Sequence, residues 1–207
     1  METIILQFKE TSMIEWLGTI AGLVGVSLSI KEKILAWPLF IICYCVYIIL
    51  SFRADLYAAM VLNACFIPIS IYGWIQWKNL KDDSKSSINE KSTIQSLSPK
   101  NLTGIILIAV LGTLILGFTL SSFVKSALPY LDAFATTLSF IAQWMLGKKI
   151  LQNWIFWIVA DLCFIILWGF QGYYATVIMF VVFIFLATKG FLSWNKELKN
   201  SNLSCAK

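Results

Sequence analysis

Residues 37–50 read WPLFIICYCVYIIL, and residues 154–167 read WIFWIVADLCFIIL. The two stretches align at an offset of 117 positions: Trp37 returns as Trp154, Ile41 as Ile158, and Ile48-Ile49-Leu50 as Ile165-Ile166-Leu167. Working outward without a gap, Tyr57-Ala58 becomes Tyr174-Ala175, Phe66-Ile67 becomes Phe183-Ile184, Gly73 becomes Gly190 and Trp77 becomes Trp194. Upstream, Glu15 falls on Asp132, Thr19 on Thr136 and Lys31 on Lys148. Shared Ile and Leu would carry little weight, since any two membrane helices have them in common. Trp, Tyr-Ala and Gly held in one frame are harder to obtain by chance. A duplication inside an apolar chain points first to a transporter whose pathway lies between the halves.

Composition agrees. The chain is 59% hydrophobic and only 13% charged, whereas soluble domains run at about 25% charged. Its 207 residues leave almost nothing outside the apolar runs, so one membrane domain over 1–207 is the economical parse. The net charge of +5 is carried by lysines placed between hydrophobic segments. That pattern is an orientation signal and not a nucleic-acid surface. Four of the five cysteines (Cys43, Cys45, Cys65, Cys163) lie inside apolar runs and read as small core side chains, and Cys205 is one place too late for a prenylation box. Histidine is absent, which removes the usual imidazole base and the commonest metal ligand. No basic leader precedes the first apolar run, so a removable signal peptide is not expected. Neither a Walker sequence nor a GxGxxG after a strand occurs, and no Ser/His or Cys/His pair is possible. The chain is expected to be no enzyme, with no cofactor and no metal.

Crossing a bilayer takes about 20 mostly apolar residues. Seven runs qualify: 14–30, 34–52, 54–77, 102–124, 129–147, 151–169 and 172–194. Residues 78–101, rich in Ser, Lys and Asn, read as an exposed linker, and 195–207 as a tail. Thirteen of the sixteen basic residues then fall on one side, leaving Lys9, Arg53 and Lys125 on the other. The positive-inside rule makes the first side cytoplasmic, which puts the N-terminus outside and the C-terminus inside. The first copy (about 14–77) fills spans 1–3 and the second (about 129–194) spans 5–7. Three helices reverse the chain, so span 4 (102–124) is needed to make the copies parallel. The expected fold is an all-α integral membrane protein of seven transmembrane helices in a 3+1+3 parallel pseudo-repeat.

Within this frame a few polar residues stand at membrane depth. Asp161 lies near the middle of span 6, where a carboxylate costs on the order of 2.5–3.5 kcal/mol even by mild insertion scales. Its repeat partner is Tyr44, so the shared scaffold does not require an acid there. Two readings stay open: a contact to a polar or cationic substrate, or a structural acid bonded to another helix. Asn63 stands at similar depth in span 3, as do Thr136, Thr137, Ser139 and Gln143 in span 5. Asp132, Thr136, Ser139 and Gln143 follow at steps of four, three and four, one polar stripe that should face protein or a water-filled cavity. Trp154 and Trp157 share a face of span 6. They are either rings that stack on a flat heteroaromatic ligand or part of an interfacial belt with Trp37, Trp77 and Trp194. Lys189, in the last span, has the position of a chromophore-linking lysine, but it lies close enough to the cytoplasmic end to snorkel.

These residues resemble the PnuC-type vitamin transporters over nearly the whole chain. The likeness is carried by IYGWIQW (71–77), by DAFATTLSFIAQWMLGKKILQNW (132–154), and by the W-x-x-W pair Trp154/Trp157 followed by Asp161. The resemblance implies uptake of nicotinamide riboside across the bacterial inner membrane by facilitated diffusion, with trapping by a cytoplasmic kinase. Trp154 and Trp157 would flank the ring, Gln143 and Asn63 would supply hydrogen bonds, and Thr136 and Thr137 would lie nearby. Thiamine, riboflavin or a nucleoside are substrates of the same plan, and a homo-oligomer stays open. Position 70 is Ser where many riboside transporters carry Asn, so one polar contact of the family is unassigned here. Outside this family, a SWEET-type sugar carrier should show prolines in both copies, but Pro38 and Pro68 face Ile155 and Phe185. A seven-helix receptor should show no repeat.

Overall fold

The computed structural model describes residues 13–53, 57–86, 94–123 and 128–205. Among them the chain forms seven helices: α1 Met13–Ile30, α2 Ala36–Arg53, α3 Tyr57–Ser86, α4 Pro99–Phe123, α5 Pro129–Gly147, α6 Asn153–Phe170 and α7 Tyr174–Cys205. Long apolar runs must satisfy their backbone groups internally, and in lipid a helix does so within one segment. Large apolar side chains line the outside. Leu107, Ile108, Leu111, Ile115 and Phe118 of α4 are all exposed, a surface that only lipid makes favourable.

Six of the seven helices are long and apolar enough to span a membrane. The exception is α5, expected above as a span of the same kind as the others. It is instead the most enclosed helix, with Ala133, Ala135, Thr136, Thr137, Leu138, Ser139, Ala142, Gln143, Met145, Leu146 and Gly147 all buried. A helix wrapped by protein does not need an apolar surface, because its neighbours and not lipid meet its polar stripe.

The helices pack in a mirrored order. Helix α1 packs on α2 and α2 on α3, as α5 packs on α6 and α6 on α7. The two sets meet through α3 against α5 and α1 against α7, while α4 packs chiefly on α5 among the described residues. A shift of 117 residues converts each contact of the first set into one of the second.

Two turns at the lysine-rich end carry the same correspondence into the backbone. After α1, Glu32 N–H donates to Ser29 O (3.0 Å) and Lys33 N–H to Leu28 O (3.0 Å). After α5, Lys149 N–H donates to Leu146 O (3.0 Å) and Ile150 N–H to Met145 O (2.9 Å). This is the paired-bond helix stop that usually places glycine in the left-handed region. Here the left-handed residues are Glu32 (φ 52°) and Lys149 (φ 53°). Their side chains meet each other, Lys149 Nζ lying 2.6 Å from Glu32 Oε2. The ammonium also sits 5.0 Å from the Trp77 ring centre, and Glu197 of α7 lies against the pair.

The segment 78–101 departs from an exposed linker at both ends. Helix α3 runs on to Ser86, and α7 likewise runs through most of the expected tail to Cys205. At 1.5 Å per residue they reach about 45 and 48 Å, beyond a hydrocarbon core of about 30 Å. Residues 94–98 then dock on the α5–α6 turn. Gln95 N–H donates to Lys149 O (2.9 Å), Leu151 N–H donates to Gln95 O (2.8 Å), and Ile94 is buried. Gln152 closes the contact, accepting from Leu97 N–H (3.1 Å) and donating to Ser96 Oγ (2.9 Å). The polar composition hid a few apolar residues that the turn requires. Residues 87–93 lie outside the described residues.

Candidate substrate site

The lysine-rich end of the bundle is closed by four tryptophans. Trp37, Trp77, Trp154 and Trp194 are each at most 1% exposed, so none belongs to an interfacial belt. Trp37 meets Trp77 edge-on at 5.4 Å and Trp154 meets Trp194 edge-on at 5.3 Å, with Trp77 and Trp194 6.4 Å apart between them. Trp77 Nε1 donates to Leu146 O of α5 (3.0 Å) and Trp194 Nε1 donates to Ile30 O of α1 (3.1 Å). Each indole therefore ties its own set of helices to the other set. The rings of Trp37 and Trp154 lie directly on Gly73 and Gly190. A Cβ at Gly190 would stand 2.6 Å from Trp154, and one at Gly73 would clash with the face of the Trp37 ring.

Against this cluster pack two half-buried rings, Tyr44 of α2 and Trp157 of α6. Tyr44 stacks on Phe66 of α3 (5.0 Å), and Phe66 continues to Phe140 of α5 (4.6 Å). Beside Phe66 a polar bridge links α3 to α5: Gln143 Nε2 donates to Ser70 Oγ at 3.2 Å, and Ser70 Oγ donates to Phe66 O at 2.9 Å. Both side chains are sealed, Ser70 at 0% and Gln143 at 1% exposure. The hairpin of α5 and α6 is antiparallel and closes at 148–152. Counting from that turn puts Trp157 level with Gln143, about 6 Å in, and Asp161 level with Ser139, about 12 Å in.

Asp161 is 4% exposed. Among the described residues no hydrogen-bond donor or cation pairs with it. Gln143 Oε1 likewise has no protein donor, and Asn63, half-buried on α3, donates Nδ2 to Ala59 O (2.8 Å), which leaves its Oδ1 unpaired among the described residues. None of these acceptors is among the fully sealed unpaired atoms, which are Trp37 Nε1, Trp154 Nε1 and Asn153 Oδ1.

The residues singled out from sequence are thus not all brought together. Gln143 and Trp157 stand level on α5 and α6 with Asp161 one turn deeper, and Asn63 lies two turns above Ser70 on the neighbouring α3. Thr136 bonds to Asp132 of its own helix. Thr137 faces the other way, packed on Gly112 of α4. Trp154 lies in the tryptophan cluster with its N–H sealed and unpaired. Lys189 is exposed, outside the core. Among the described residues no group of acids and cysteines is placed to hold a metal, and Cys43, Cys45, Cys65 and Cys163 are free. Sequence reasoning missed the ring ladder of Tyr44, Phe66 and Phe140, and it treated Ser70 only as a substitution. The seven-residue spacing of Asn63 and Ser70, one face of α3, was the available signal.

Helices packed around an enclosed polar seam in an apolar bundle define a multi-pass membrane transporter. Residues 12–196 match the family model described as nicotinamide mononucleotide transporter, and the chain belongs to that family. It is 24% identical to the nicotinamide riboside transporter PnuC of Escherichia coli K12, over 89% of this chain and 86% of that protein. It is 20% identical to the riboflavin/roseoflavin transporter RibM of Streptomyces davaonensis, over 87% and 83%. The crystal structure of the vitamin B3 transporter PnuC superposes with a TM-score of 0.75 at 22% identity, covering 96% of this chain and 87% of that one, which establishes the shared fold. The chain is accordingly a multi-pass protein of the bacterial inner membrane and a transporter, not an enzyme.

Proposed function

We propose that this chain carries nicotinamide riboside into the cell by facilitated diffusion, and that a cytoplasmic kinase traps it by phosphorylation. One observation carries the choice of substrate. Outside the sealed tryptophan cluster, the oxygens on α3, α5 and α6 that no described donor meets are Asn63 Oδ1, Gln143 Oε1 and those of the Asp161 carboxyl. Their complement is a ligand rich in donors that bears a positive charge. A pyridinium riboside offers a cationic ring, a carboxamide N–H₂ and sugar hydroxyls. Trp157 supplies the ring face for stacking, with Trp154 behind it, while Thr136, on the stripe of Gln143, shapes the α5 wall and Thr137, turned to α4, takes no part. Thiamine, also cationic with an exocyclic amine, meets the same demand. Riboflavin, with a neutral ring, leaves the acid unpaired in a low-dielectric site.

The architecture proposed with this function is the 3+1+3 pseudo-repeat about an axis along the membrane normal, N-terminus outside. The mirrored helix contacts and the two matching turns support it. Facilitated diffusion is supported by the lack of any nucleotide motif in the sequence. Titration calorimetry of purified protein with nicotinamide riboside, thiamine, riboflavin and nucleosides tests the substrate. Nicotinamide riboside should bind most tightly, and Asp161→Asn should weaken it at least tenfold, the scale of one charge-assisted contact, while barely altering riboflavin. Tighter binding of riboflavin than of either cation would reject the reading. In proteoliposomes without a gradient, internal substrate should level with external substrate and exceed it only when a riboside kinase and ATP are enclosed.

A further inference from the structure

We infer that Ser70 is a positioning residue that fixes Gln143 as a hydrogen-bond acceptor toward substrate, so that the site selects ligands presenting an N–H or O–H donor at that point. The inference rests on the transport reading above and assigns a selectivity to its site. A serine hydroxyl holds one proton. Here that proton goes to Phe66 O at 2.9 Å, which leaves only lone pairs facing α5. The Gln143 amide 3.2 Å away must then present its N–H₂ to Ser70. Turned the other way, Oε1 would face the lone pairs of Ser70 Oγ, a repulsive pairing of two acceptors in a buried contact. With one Nε2 proton held by Ser70 the amide cannot turn, so Oε1 is fixed as the acceptor that Gln143 presents to a ligand, and a buried acceptor discriminates strongly against a ligand that brings no donor.

The choice matters because a glutamine amide is by itself indifferent: it offers two donors and an acceptor and can turn to suit either kind of ligand. Ser70 removes that freedom. Without the hydroxyl, the amide is free to turn and present N–H₂, and the preference for donors should fade. Asp161 adds repulsion of anionic ligands in every variant alike, so the change on altering Ser70 isolates the Ser70 contribution.

The test uses the full-length protein in detergent and two matched ligand pairs: nicotinamide riboside against nicotinic acid riboside, and thiamine against oxythiamine. In each pair the second member loses the amino donor. Dissociation constants come from calorimetry on wild type, Ser70→Ala, Ser70→Thr and Ser70→Cys. Wild type and Ser70→Thr should favour the donor-bearing member of the pair that binds. Ser70→Ala should narrow that ratio by about tenfold, the scale of one net hydrogen bond. Ser70→Cys, which nearly preserves volume but accepts weakly, should narrow it as well and serves if the alanine variant does not fold. An unchanged ratio in both variants, or equal weakening of both members, would reduce Ser70 to packing and overturn the inference while the transport reading stands. Failure of wild type to bind either pair would remove both.

Discussion

At the scale of single residues, two glycines decide where two tryptophans can lie. Gly73 and Gly190 leave the backbone of α3 and α7 bare, so the Trp37 and Trp154 rings press flat against them. A methyl group there has nowhere to go, and overpacking of this kind costs about 1–3 kcal/mol. Gly73→Ala and Gly190→Ala should each lower the thermal midpoint of the purified protein by several degrees. Gly104→Ala, at a position with nothing within 4 Å of its Cβ, should not. An unaffected Gly190→Ala would mean that the Trp154 ring moves aside freely. The sequence exposed the Trp and Gly positions through their recurrence, but not what they touch. A tryptophan near a helix end is equally at home in a lipid interface and in a buried cluster. Asp161 was legible as an acid at depth, but its lack of a partner depends on helices distant in sequence.

At the scale of elements, the seven apolar runs located seven helices with twelve of the fourteen ends within three residues, and the two large errors fall where composition and packing disagree. Polar residues do not by themselves end a helix, which is why α3 and α7 continue past the apolar stretches. The turns after α1 and α5 were not legible at all. Nothing about Glu or Lys announces a left-handed backbone, which favours glycine. Their side-chain contact offsets that local strain. A double-mutant cycle on Glu32→Gln and Lys149→Met should give a coupling between about 0.5 and 3 kcal/mol, typical of residues in direct contact. Zero coupling in chemical unfolding would show that the pair is screened. Glu32→Gly relaxes the backbone yet forfeits the pair, so it should stabilise only in a Lys149→Met background.

At the scale of the whole molecule, α1–α3 pack in the same order as α5–α7, and they meet through α3 against α5 and α1 against α7. The lysine distribution predicts that the C-terminus is cytoplasmic. A green fluorescent protein fused after Lys207 should therefore fluoresce in bacterial cells, and an alkaline phosphatase fused there should be inactive. The opposite pair of outcomes would invert the proposed orientation. The fold was legible because hydropathy, repeat and charge bias bear on the same few variables. The site was less so, since Gln143 and Ser70 are 73 positions apart and only the packing of α3 on α5 joins them.

The ion pair between the two turns has a consequence of another kind. Glu32 and Lys149 stand 117 positions apart, the offset of the repeat, and they touch. On a twofold axis a residue meets its own counterpart, so two identical halves would bring Glu against Glu or Lys against Lys at this point. An ancestor with truly equal copies must have carried an uncharged residue here or borne the repulsion. For copies descended from one triplet, attraction at this point requires that they differ. The contact thus makes the two positions depend on each other, and the inequality of two corresponding residues strengthens the joint between the helix sets.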